Sequence, residues 1–120
     1  FIRPTRYTFE FAEASQRMSL SFFSEKYRSL LSLCGTKSGR DIDKMHIEGL
    51  STSFSEDGVP FYNEARMIFF VKKLYAQFLD KKFVIEQTIH NLYTGNDYHK
   101  MYICEIEKIM IEKETLSMLK

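Results

Sequence analysis

EARMIFFVKKLYAQFLD, residues 64–80, is the stretch whose period decides the fold. Met67, Val71, Leu74 and Phe78 recur at spacings of four, three and four, and Ile68, Tyr75 and Leu79 widen the same face. That is the pattern of an amphipathic helix. Read so, residues 62–79 form a central helix, apolar over half its circumference, with Val71, Leu74 and Phe78 nearly fully buried.

The same period continues downstream. Asp80 is a good N-cap, and Leu79 and Val84 are placed to staple the start of a second helix over 81–94. Val84, Ile85, Ile89 and Leu92 supply its apolar face. A turn follows at Thr94, Gly95, Asn96 and Asp97. Tyr102, Ile103, Ile106, Ile109, Met110, Leu116 and Leu119 then carry a last helix over 97–119, with Lys108 paired at helical spacing to Glu105 and Glu112.

Upstream, Phe9, Ala12, Leu20, Phe23, Tyr27, Leu30, Leu31 and Cys34 share one helical face, and Gly35 is a natural stop. A helix over 8–34 is the first reading. A competing one exists, because Tyr7, Phe9 and Phe11 alternate with polar residues, as do Met18, Leu20 and Phe22. Residues 35–60 are the least regular part, punctuated by Gly35, Gly39, Gly49, Gly58 and Pro60. Ser55-Glu56-Asp57-Gly58 is a turn signal between two short apolar runs. The expected fold is therefore all-α, about four helices with a long irregular 35–60 connection. Its alternative is α+β, with a small hairpin near 5–23 or 50–62.

The 120 residues suit a single domain spanning 1–120. The chain starts at Phe1 rather than Met, so it reads as a processed product, a trimmed chain or a domain excised from a longer one, and a removed leader stays open. Apolar residues make up 44% of the chain, with 11 Phe and 7 Tyr, a load of bulky rings that excludes disorder. Cys34 and Cys104 are too few for a disulfide scaffold and read as packed, unbridged thiols in a cytoplasmic, reducing setting. No stretch is long and apolar enough to span a membrane.

Chemistry is sparse. His46, His90 and His99 lack the spacing of metal ligands, and no Walker loop, G-x-G-x-x-G or G-x-S-x-G is present. Carboxylate pairs such as Glu112 with Glu114 read as a solvated helix face. The sequence thus predicts no catalytic residue, no metal and no cofactor, and leans away from an enzyme. What remains is surplus hydrophobicity. If 8–34 is one helix, Phe11, Met18 and Phe22 face away from its main stripe, and Phe69 departs from the face of its own helix. These four predict a surface for a protein partner or for self-association, and so a non-enzymatic helical interaction module: an adaptor, inhibitor or regulatory subunit. The alternative is a nucleic-acid-binding domain using Arg3, Arg6, Lys72, Lys73, Lys81 and Lys82, although a net charge of +1 gives it no compositional support.

Overall fold

The computed structural model describes residues 1–120 and is α+β. Its frame is a three-stranded antiparallel sheet made of β1 (Arg17–Phe22), β4 (Met67–Phe78) and β5 (Lys100–Ile111), in the order β1-β4-β5. A separate hairpin pairs β2 (Thr52–Phe54) with β3 (Pro60–Tyr62). Around them lie α1 (Tyr7–Ala14), α2 (Arg28–Thr36), a single turn α3 (Gln87–His90) and α4 (Lys113–Met118).

The all-α reading is overturned at each of its four helices. Residues 62–79 are mostly β4, and 97–119 divides into β5 and the short α4. Residues 81–94 hold only a 3-10 turn (Lys81–Phe83) and α3, and 8–34 splits into α1, β1, a second 3-10 turn and most of α2. The hairpin alternative at 5–23 fails too, because Tyr7–Ala14 is helical and β1 pairs with β4. Residues 52–62 do form a hairpin, closed by Asp57-Gly58 with Gly58 at φ 77°. The positive φ is the reason that turn takes glycine.

Two β-bulges explain how strands imitated helices. Lys73 pairs with Cys104 and Tyr75 with Ile103, so Leu74 is an extra residue in β4. Phe70 pairs with Lys108 and Val71 with Ile106, so Glu107 is an extra residue in β5. A bulge adds one residue to one strand and shifts its alternation by one. Residues of one face then stand three apart, as Lys73 and Ala76 or Ile106 and Ile109 do, and a three-residue step reads as helical. The unbroken run Met67–Val71 carries no period to correct the error. Leu74, expected in the core, is the bulged residue and is 61% exposed; Phe78 is 46% exposed, while Val71 is buried at 3%.

The register sorts the sheet into two faces. Ser19, Ser21, Ile68 and Phe70 lie on the first, where the β2–β3 hairpin packs. Phe61 meets Phe70 edge-on at 5.4 Å, the Ser19 hydroxyl donates to the Pro60 carbonyl, and Val59, Ile68 and Phe70 form the core. Met18, Leu20, Phe22, Phe69, Lys73, Phe78, Tyr102 and Lys100 lie on the second. Helix α1 covers only its far end, where Lys73 donates to the Ala12 carbonyl and Lys100 lies over the Phe9 and Phe78 rings. The two covers thus sit on opposite faces and at opposite ends. Leu20, Phe22, Ile106 and Ile109 stay 39–53% exposed in consequence, and eight of 120 residues are buried. The surface is 8819 Å², against about 6,800 Å² for a folded monomer of this mass.

Candidate functional site

The N-terminal arm, the start of α1 and the loop after α2 enclose the main concave surface. Arg6 is the N-cap of α1 and no side chain caps the helix, so first-turn N–H groups remain available to a ligand. Around that helix end a cleft of about 640 Å³ is lined by Arg3, Arg6, Lys37, Arg40 and Lys44, with Thr5, Thr8, Ser38 and His99. Its lining has five cationic side chains and no carboxylate. The positive end of the helix dipole adds to the same field.

Packing holds the walls in place. Gly39 stands so close to Tyr7 that a Cβ there would meet the ring at 2.8 Å, which is why the loop needs glycine at this point. The Arg40 guanidinium lies over the Tyr7 ring at 4.6 Å and donates to Glu10 at 3.0 Å. Lys44 donates to the Cys34 carbonyl, and the Tyr62 hydroxyl donates to the Lys44 carbonyl at 2.6 Å, tying the loop to the hairpin. Arg3 is fixed by the Leu92 carbonyl, by Asp97 at 3.5 Å and by the Tyr93 ring. Burial, and then the charges of Arg3 and the terminal ammonium, hold His99 below the usual histidine range, so it is neutral at neutral pH. Its Nδ1 lies 2.6 Å from the Tyr93 hydroxyl.

A second cleft of about 540 Å³ shares Tyr7, Thr8, Gly39, Arg40 and Lys44 with the first and continues to Phe11, Ile42 and Met45. The joined surface is cationic at one end, and at the other has the apolar and aromatic side chains of Phe11, Ile42 and Met45 with the carboxylates Asp41 and Asp43 among them. Such a shape accepts a flat organic ring that carries an anionic tail.

The residues singled out from sequence divide between places. Arg3 and Arg6 line the basic cleft. Lys72 and Lys73 are successive residues of β4 and project to opposite faces, and Lys81 and Lys82 sit in a 3-10 turn beyond it, so the six cations form no common edge. Phe22 and Phe69 meet at 5.1 Å and share a sheet face with Met18, whereas Phe11 packs against Tyr7 in the second cleft. Tyr7, Thr8, Lys37, Ser38, Arg40 and Lys44 were missed. Their signal was the run Lys37-Ser38-Gly39-Arg40 with Lys44, three cations around a glycine, inside a segment read only as irregular. Cys34 and Cys104 are unbridged, and no helix is long and apolar enough to cross a membrane.

A family model described as "Flavin reductase like domain" matches residues 1–119. Two solved structures of an FMN-binding protein from Thermus thermophilus, one with bound p-hydroxybenzaldehyde and one with bound 1-cyclohex-2-enone, share the fold at a TM-score of 0.68 and 20% identity. Each alignment covers 93% of this chain, and 53% and 52% of theirs. The chain therefore spans about half the length of those structures. No curated protein matches it. The family match and the α+β fold overturn the expectation of a helical interaction module, along with its nucleic-acid alternative.

Proposed function

The chain belongs to the flavin reductase like domain family, and from that premise we propose that it binds flavin mononucleotide by its phosphate in the basic cleft. The observation that carries the reading is the charge of that cleft: Arg3, Arg6, Lys37, Arg40 and Lys44 line it without an acid, at the N-terminus of α1. A phosphate monoester is close to doubly negative at pH 7, and guanidinium forks and helix-end amides match its oxygens. Arg6, Lys37 and Lys44 supply charge, while Thr5, Thr8 and Ser38 supply hydroxyls. The adjoining cleft, with Phe11, Ile42 and Met45, offers the ring an apolar wall.

A bound flavin would supply hydride and electron transfer, and the family's description supports a flavin-dependent role for this chain. The protein's own contribution is to bind and orient the ring and limit its exposure to water. The test is titration with flavin mononucleotide and with riboflavin, followed by flavin fluorescence. Phosphate recognition requires the phosphorylated form to bind at least about tenfold tighter, a difference that shrinks with added salt. Equal binding of the two would sink the reading.

The open sheet face favours a second, compatible reading, that the chain also self-associates. The excess surface noted above exceeds the about 800 Å² per partner that a stable interface needs, and Leu20, Phe22, Phe69 and Ile109 lie together on that face. Sedimentation over a concentration series checks it. A monomer at every concentration would rule it out.

A further inference from the structure

Two of the five cations in the cleft are already engaged by carboxylates outside its lining, Arg3 by Asp97 and Arg40 by Glu10. The second pair is the more exposed, with 49% of the Arg40 side chain and 61% of the Glu10 side chain accessible. Arg40 is otherwise well fixed. Its guanidinium lies on the Tyr7 ring, and its backbone N–H donates to the Ser38 hydroxyl at 3.1 Å. Arg40 therefore stands at the boundary of the two clefts with one guanidinium nitrogen, Nη2, held by an internal carboxylate. Glu10 occupies the first turn of α1, where the helix dipole also favours a negative charge.

We infer that Glu10 is an internal competitor for the ligand phosphate: Arg40 exchanges Glu10 for the phosphate when the flavin binds, so Glu10 sets how strongly this cleft retains phosphorylated ligands. The inference rests on the flavin-phosphate reading and adds to it a positioning residue that acts through Arg40. A carboxylate and a phosphate present the same acceptor geometry to a guanidinium fork, and only one of them occupies it fully at a time. An exposed pair of this kind is weak enough to be displaced by a ligand. Its release also explains why a carboxylate is tolerated beside a site built for anions.

The experiment measures the affinities of flavin mononucleotide and riboflavin for the parent, Glu10→Gln, Arg40→Ala and the double variant, with circular dichroism confirming the fold. Competition predicts that Glu10→Gln tightens flavin mononucleotide about two- to fivefold and leaves riboflavin unchanged. Arg40→Ala weakens flavin mononucleotide, and Glu10→Gln has no effect when Arg40 is absent. A general field effect would instead persist in the Arg40→Ala background, and would overturn the inference. So would a Glu10→Gln variant that binds flavin mononucleotide as the parent does or more weakly, which would make the pair an orienting contact. In both cases a parent that prefers the phosphorylated flavin leaves the phosphate reading standing. A parent that does not discriminate removes both.

Discussion

The two covers of the sheet differ in kind. At one end, the β2–β3 hairpin lies on Ile68 and Phe70 through Val59 and Phe61, with Ala65 of the following turn beside them, an apolar contact that leaves those two sheet residues 4% and 7% exposed. At the other, α1 lies on Lys73, Phe78, Lys100 and Tyr102 mainly through polar contacts, with Phe9 beside the Phe78 ring at 6.1 Å and Ala12 buried. Glu13 receives hydrogen bonds from Lys100 at 2.8 Å and from Tyr102, and Lys73 reaches the Ala12 carbonyl. The strand they share is β4; the hairpin adds β1 through Ser19, and α1 adds β5 through Lys100 and Tyr102. What differs is how much of the cover is apolar. An apolar cover stabilises by area removed from water, while a polar cover gains little net energy and fixes position. The helix held in this second way is the one whose N-terminus forms the basic cleft. Stability is concentrated at the hairpin end, and the candidate site at the helix end.

Phe70→Ala tests the first half of that comparison and has the largest expected effect. Removing a buried ring in contact with Phe61 costs about 3–5 kcal/mol, read as a fall in the denaturant midpoint. A loss below about 1 kcal/mol would mean that the hairpin end is not the stable one.

Arg6→Ala tests the second half. It should lower affinity for flavin mononucleotide about tenfold, or about 1.4 kcal/mol, with little change in unfolding free energy. An unfolded variant would show that the cleft end carries stability after all.

Glu13→Gln sharpens the comparison through pH. Hydrogen bonds from Lys100 and then Tyr102 hold the Glu13 carboxyl below the usual glutamate range. Its folded pKa is depressed, so the unfolded chain takes up the proton first as pH falls. The stabilisation is complete above the ordinary glutamate value and is lost as pH drops through the folded one. Glu13→Gln should therefore be less stable at pH 7 and show a shallower loss as pH falls below the ordinary glutamate range. Parallel acid limbs for parent and variant would remove this role.

The smallest effect belongs to Leu74→Ala. A leucine at a bulge, 61% exposed, should cost below about 1 kcal/mol. A loss near that of Phe70→Ala would place Leu74 under a cover that the monomer lacks.

Some features were legible in the residues themselves. The aromatic load, the Asp57-Gly58 turn and the break at Thr94–Asp97, where Asn96 adopts φ 57°, are local facts, set by steric limits within a few residues. The cationic cleft was legible only as scattered parts, because Arg3 and Arg6 meet Lys37, Arg40 and Lys44 across more than thirty positions of chain. The hairpin strands at 52–62 were legible as an alternative reading, but the long strands β4 and β5 were not. Met67–Val71 fits either period, and the bulges at Leu74 and Glu107 replace alternation with three-residue steps. The choice between helix and strand was then made by long-range partners, β1 and β5 for β4, whose hydrogen bonds no local window contains. Sequence determined which residues are apolar and where the chain turns. Tertiary structure alone decided which of them are buried, because burial depends on what the hairpin and α1 happen to cover.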